Sequence, residues 1–409
     1  MKLKLISFLL IAALLAGLFA GCGQSATVEV KETPAPAVTA APEETPAPET
    51  TPAPDTEGTD DAEEEARKAR YQAAYEKYAP DQTVMLVNGE PVSWADYYSW
   101  IYDVANQMEP LYEVTDWNEP RDMLASAVPD STFGSYVRKV ALGYLVQVEV
   151  IGQKAKELGI ELSEAEKADL QATLDGYAER FGGQDKLEEL LAGSYLSMDY
   201  FVRQNESMML INDIYASMYG AKGEKLSEDD AVAYLKDNGY MYAKHILFRT
   251  VDENRQSLSD EEIAEKRAEA EAVLAELLAC NSAELDGRFD ALMQQYNEDP
   301  GMLKYPDGYY FQSGEMVPVF EEAVRSMEQS GLYPELVESD YGFHIIFCPP
   351  MQADHVLGYD ANGEPYGPRA FVSAALFDNI TQEWFEEAER NVNYVAGFEN
   401  LDLNELFYN

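Results

Sequence analysis

Basic residues are scarce in this chain of 409 residues: Lys and Arg number 29 against 75 Asp and Glu, a formal charge of −46. Such a surface repels phosphate backbones, which argues against nucleic-acid binding. It also repels anionic lipid headgroups and wall polymers unless cations screen it. Cysteine is rarer still, at 3 residues, and neither Cys280 nor Cys348 has neighbours at metal-ligand spacing. A disulfide between those two and a pair of free, partly buried thiols are both open. The longest apolar run, Leu5 to Phe19, is too short for a comfortable membrane span. Histidine also numbers only 3, and two of them, His245 and His344, lie in matching places.

The first residues are built like an export signal: Lys2 and Lys4, the apolar run, then small residues. The ending Leu18-Phe19-Ala20-Gly21-Cys22 resembles a bacterial lipobox, with Phe19 where Leu is preferred. That resemblance implies removal of residues 1–21 and lipidation of Cys22; the alternative is an ordinary cleaved signal with an incidental cysteine. From Gln24 to about Ala62 the chain repeats Thr-Pro-Ala-Pro at Thr33, Thr45 and Thr51, with almost no large apolar residues. Residues 22–64 therefore read as a disordered, extended Pro/Thr/Glu-rich linker that reaches on the order of 100 Å.

Beyond the linker, Glu63 to Ala79 reads as a helix, and Thr83 to Ser93 as a hairpin turning on Asn88-Gly89. Helices then dominate to about Asn238. One runs from Ser135 to Leu158 with Val137, Val140, Ala141, Tyr144, Val148, Ile151 and Ala155 on one face and Gly159 as its C-terminal cap. The next opens on Ser163 with Glu166 in capping-box register. Another, Met198 to Met218, is rich in Met, Tyr and Ile; its apolar face reads as core, or in part as a groove for unfolded polypeptide. The tail carries an amphipathic helix with Val372, Leu376, Ile380, Trp384 and Ala388 in a stripe.

After Gly239 the pattern changes. A strand over 240–248 precedes a charged helix opened by Ser259 and Glu262, and a second helix over Leu285 to Tyr296. A loop rich in Asp, Pro and Gly, a short helix over Pro318 to Met327 and a strand over Tyr341 to Phe347 complete one α+β unit. His245 lies in its first strand and His344 in its last. If those strands are neighbours, the imidazoles meet on one face.

The unit resembles the parvulin family of peptidyl-prolyl isomerases in five ordered blocks. They are Ala243-Lys244-His245-Ile246-Leu247, the segment Phe289 to Asp299, the loop Asp307 to Phe311, Gly314 to Ala323, and Gly342-Phe343-His344-Ile345-Ile346. The resemblance implies that His245 and His344 are the paired imidazoles and that Asp299 faces the isomerising bond. It implies that Ser339 supplies a hydroxyl to the same polar network, and that Phe311, Met316 and Phe320 form the proline pocket. It implies no metal and no cofactor. One block departs: where the family loop reads Gly-Gly-Asp-Leu-Gly-aromatic, this chain has Lys304-Tyr305-Pro306-Asp307-Gly308, with Gly308 at the usual Leu. The basic cluster of phosphate-directed parvulins is also absent, with only Arg249 and Arg255 near Asp252 and Glu253.

The flanks are similar to foldases of the PrsA and SurA type, in which a parvulin unit is inserted in a helical domain completed by a C-terminal helix. The implied organisation is α+β: a helical chaperone domain over 65–238, the parvulin unit over 239–350, and a completing helix within 351–409. The implied function is prolyl isomerisation and chaperoning of newly exported, unfolded polypeptides outside the cytoplasmic membrane, with the lipid on Cys22 as anchor. A homodimer stays open. The competing reading is a parvulin-fold holdase with little catalysis. A solute-binding lipoprotein shares the anchor and linker but leaves the five blocks unexplained.

Overall fold

The computed structural model describes residues 60–120, 132–327, 329–360 and 363–408. Cys22 and nearly all of the expected linker lie outside these residues. Helix α1 spans Asp60–Tyr75, so the helix expected to reach Ala79 stops four residues early. Its last turn is closed by the Trp94 indole, which donates to the Tyr75 carbonyl at 2.8 Å.

The hairpin forms where the turn residues require it. Strands β1 (Thr83–Val87) and β2 (Glu90–Ser93) pair antiparallel. Asn88 at φ 51° and Gly89 at φ 88° supply the two left-handed residues that a tight right-twisting turn needs. Ser93 then caps helix α2 (Trp94–Tyr112) through a bond from the Asp96 amide. Helices α3 (Phe133–Leu158), α4 (Glu164–Phe181), α5 (Gln184–Gly193), α6 (Met198–Tyr219) and α7 (Glu228–Asp237) follow. Ser163 and Glu166 form the expected capping box, and Gly159 ends α3 at φ 68°.

The α+β unit begins with β3 (Met241–Arg249) and continues through helices α8 (Asp260–Leu278) and α9 (Leu285–Tyr296). Strand β4 (Tyr309–Phe311), helix α10 (Pro318–Ser326) and strands β5 (Gly331–Leu332), β6 (Val337–Ser339) and β7 (Gly342–Cys348) close it. The sheet runs β4-β3-β7-β5, with β6 also on β7. Its long central pair is antiparallel and sets His245 opposite Ile346 and Leu247 opposite His344. Because side chains alternate, each face has its own core. Ile246, Phe248, Phe343, Ile345 and Phe347 pack beneath α8 and α9. Ala243, Ile346 and Cys348 face α10 through Phe320, Ala323 and Val324. Lys244, on the α9 side, bonds Asp290 at 2.8 Å and Asp286 at 3.2 Å and so fixes the first turns of that helix. Cys280 and Cys348 are free thiols.

The chain then forms a small hairpin, β8 (Gly358–Tyr359) with β9 (Pro365–Tyr366), and helix α11 (Pro368–Arg390). Phe377 of α11 joins Ile151 and Ala155 of α3 and Ile211 and Ile214 of α6 in one buried cluster. Strand β10 (Asn393–Tyr394) adds to β1, and helix α12 is Leu403–Tyr408. The stripe expected on α11 is displaced: Ser373, Phe377 and Thr381 are buried with Val372 and Ala388, while Leu376, Ile380 and Trp384 flank them. The two hydroxyls escape an apolar count because their hydrogen bonds are met locally. Ser373 Oγ lies 2.7 Å from Tyr215 Oη, and Thr381 donates to the Asp378 carbonyl at 3.0 Å.

Candidate active site

The β3–β7 register makes His245 and His344 diagonal neighbours on one face, within reach of ring-sized side chains. Their Nδ1 atoms are 2.9 Å apart and the rings lie within 13° of parallel. Both are buried, at 6% and 4% exposure. The outer nitrogens have separate partners. His245 Nε2 is 2.7 Å from Asp299 Oδ2, and His344 Nε2 is 2.7 Å from Ser339 Oγ.

Asp299 is set by its local sequence. It follows helix α9 and precedes Pro300, which fits the first turn of the short 3₁₀ helix Pro300–Leu303. Its Oδ1 accepts from the Gly301 amide at 2.9 Å, leaving Oδ2 to His245 and to the Tyr309 hydroxyl at 2.8 Å. Burial by itself would raise the carboxyl. The bonds from His245, Gly301 and Tyr309 outweigh it and hold the group down to about 2, so Asp299 is an anion near neutrality.

His344 shifts in the direction that favours the neutral ring. Burial first, then the neighbouring His245, brings it down to about 3. A neutral His344 donates from one ring nitrogen and accepts at the other. His245 donates from Nε2 to Asp299 and meets His344 through Nδ1. His344 accepts at Nε2 from the Ser339 hydroxyl, whose oxygen accepts from the Tyr341 amide at 3.2 Å.

The apolar side comes from β4 and α10. Phe311 and Phe320 are buried at 1% and 2% exposure, and Met316 packs against their cluster while partly open to solvent. Phe320 meets His245 edge-on (5.3 Å between centroids, 83°) and His344 at 5.7 Å and 70°. Phe311 lies 5.9 Å from Phe320. The structure thus brings His245, His344, Asp299 and Ser339 into one chain of hydrogen bonds, with Phe311, Met316 and Phe320 beside it. Cys22 lies outside the described residues. Sequence reasoning passed over Tyr309 and Gly301, and only the Asp-Pro-Gly turn offered a signal for the second.

Residues 231–348 match the family described as PPIC-type PPIASE domain. This segment is a parvulin-type domain. The match runs from within α7 to the end of β7. Two relatives are foldase proteins PrsA. That of Halalkalibacterium halodurans is 40% identical over 96 residues, 23% of this chain and 28% of the relative. That of Oceanobacillus iheyensis is 29% identical over 171 residues, 41% of this chain and 43% of the relative. The chain therefore aligns with less than half the length of either.

Among solved structures, the peptidylprolyl isomerase PrsA of Bacillus cereus is 18% identical, with 81% of this chain and 98% of that one covered and a TM-score of 0.26. PrsA of Bacillus subtilis is also 18% identical, with 81% and 100% covered and a TM-score of 0.22. Such scores mark no whole-chain superposition. The family assignment rests on the sequence match and the domain's own geometry.

Around the parvulin-type domain, the departing loop has a physical reason. Gly308 is at φ +109°, and a Cβ there would lie 2.9 Å from the Ala243 carbonyl, 2.9 Å from the Tyr242 ring and 3.0 Å from Lys244 Cγ. No side chain fits, so the leucine of the family loop has no room in this backbone.

Proposed function

We propose that the chain is a peptidyl-prolyl cis-trans isomerase and foldase acting on X-Pro bonds of unfolded, exported polypeptides. The observation that carries this reading is the apolar floor of Phe311, Met316 and Phe320 set against the two buried imidazoles in the segment that matches the family. Rotation about X-Pro crosses a barrier of about 18–20 kcal/mol because twisting costs amide resonance. No bond breaks, so the site needs neither nucleophile nor leaving-group acid. A proline ring held on the Phe320 floor would leave the preceding carbonyl free to turn in a partly dehydrated space. Such a site favours the twisted amide over either planar form, at about tenfold in rate per 1.36 kcal/mol.

In this reading Asp299, His245, His344 and Ser339 are a fixed polar wall. Their mutual bonds keep the imidazoles oriented, so the wall presents a constant field while the amide turns. The test is refolding of a model protein whose slow phase is proline isomerisation. The full chain should abolish the slow phase at substoichiometric amounts, and a Met316→Ala, Phe320→Ala double variant should not. An unchanged slow phase with folded wild-type chain would sink the reading.

A second activity, holding of unfolded segments, looks to a groove of about 750 Å³ between the β1–β2 hairpin, α3 and α6, where Pro91, Val148 and Leu210 sit among charged residues such as Glu149, Lys156 and Arg203. Suppression of client aggregation that survives the double variant would assign holding to the helical part. Among the described residues no helix is long and apolar enough to cross a membrane. The anchor in this proposal is the lipid on Cys22, read by metabolic labelling with palmitate that a Cys22→Ala change removes.

A further inference from the structure

Tyr309 stands next to Gly308 in the loop that departs from the family pattern, at the place where that pattern has its third glycine. Its hydroxyl donates at 2.8 Å to Asp299 Oδ2, the oxygen that also meets His245. Burial and the adjacent Asp299 carboxylate push the phenol well above its ordinary value, so it stays a donor. The site is built to admit it: a Cβ on Gly301 would lie 2.1 Å from Tyr309 Oη. Only glycine at 301 leaves room for the phenol, and glycine at 308 lets the loop pass Ala243.

The loop is held from outside the matched domain, which ends at residue 348. Tyr305 lies against Tyr309 with ring centroids 5.5 Å apart, and Tyr359 of β8 lies 6.1 Å from Tyr305. The Tyr359 hydroxyl donates to the Lys304 carbonyl at 2.8 Å. At the other end of the loop the Val356 amide donates to Asp307 Oδ2 at 3.0 Å, and Tyr242 donates to the Asp307 carbonyl. The hairpin itself is pinned, since Tyr366 Oη fills the space of a Cβ on Gly358, 2.6 Å away.

We infer that Tyr309 is a positioning residue for Asp299, and that the β8–β9 hairpin acts as a brace holding Tyr309 in place through Tyr305 and Tyr359. The inference rests on the isomerase reading for its catalytic consequence but not for its structural one. A site whose carboxylate is held by a phenol is one whose rate depends on residues beyond the domain boundary.

The test uses the full chain and three forms: Tyr309→Phe, Tyr359→Phe and both together, with far-UV circular dichroism checking that each folds. Two quantities are read at pH 7. The first is kcat/KM for a short X-Pro peptide; the second is the carboxyl carbon-13 signal of Asp299, identified by its loss in Asp299→Asn. Tyr309→Phe should lower kcat/KM about tenfold through kcat, as expected for one charge-assisted bond, and move the Asp299 signal. Tyr359→Phe, which does not touch Asp299, should move the same signal in the same direction with a smaller loss, and add nothing in the double variant. An unmoved Asp299 signal, or unchanged turnover in an active chain, overturns the role of Tyr309. Additive losses overturn the brace. If Tyr309→Phe fails to fold, the Tyr359→Phe signal decides. A wild-type chain with no turnover at all sinks the isomerase reading instead, and the Asp299 signal still decides the positioning.

Discussion

Acidification should loosen the parvulin-type sheet before most carboxylates titrate, and His344 is the reason. Its imidazole is held neutral down to about 3 by burial and by His245, against an ordinary value of 6.5. The unfolded chain therefore binds a proton between those two values that the folded chain refuses. By linkage, stability is greatest above about pH 6.5 and is lost as the pH falls from there toward 3. Between pH 7 and pH 4.5 the loss from this one group is about 2.5 kcal/mol. Amide hydrogen exchange at Ile246 and Ile345 reads it locally, once intrinsic rates are corrected for pH. The protection of both amides should fall by that amount in the wild type and by much less in His344→Gln. The comparison cancels the acidic residues common to both chains. Equal losses in the two chains would refute the assignment of the shift to His344.

Restoring the family's leucine by Gly308→Leu should destabilise the chain by about 2–3 kcal/mol, because a positive-φ strain and a backbone clash add; a lowered melting temperature checks it. Lys244→Met should cost less than about 1 kcal/mol, since Asp286 and Asp290 are 57% and 42% exposed and can return to water. Urea midpoints should show it, with reduced salt dependence. Ser373→Ala should cost about 1–2 kcal/mol by orphaning the Tyr215 hydroxyl beneath α11, seen as a shift of the urea midpoint by tryptophan fluorescence.

Much of the domain was legible because its signals are local. Ser259 with Glu262 and Ser163 with Glu166 marked helix starts, Asn88-Gly89 marked a turn, and continuous apolar runs marked β3 and β7. The meeting of His245 and His344 was legible only as a condition, since register is a property of two distant strands. Three features were not legible. Strand β10 is two residues long and takes its meaning from β1. Ser373 and Thr381 look polar in sequence because their partners are supplied by the fold. Tyr309 was hidden because its partner, Asp299, is ten residues away across a turn, and because the eye falls on Gly308 in place of the usual Leu. In the structure the space beside Gly308 is already filled by the backbone of Ala243 and the side chains of Tyr242 and Lys244.

The central claim is that the pocket of Phe311, Met316 and Phe320 turns an X-Pro bond beside the paired imidazoles. Exchange spectroscopy on a proline peptide measures that turning directly, without a protease or a client. With catalytic amounts of the full chain, cis–trans exchange cross-peaks should appear at mixing times of a fraction of a second, where the free peptide shows none. They should vanish in Phe320→Ala. Cross-peaks that persist undiminished in Phe320→Ala, or that never appear with the folded wild-type chain, would contradict the account.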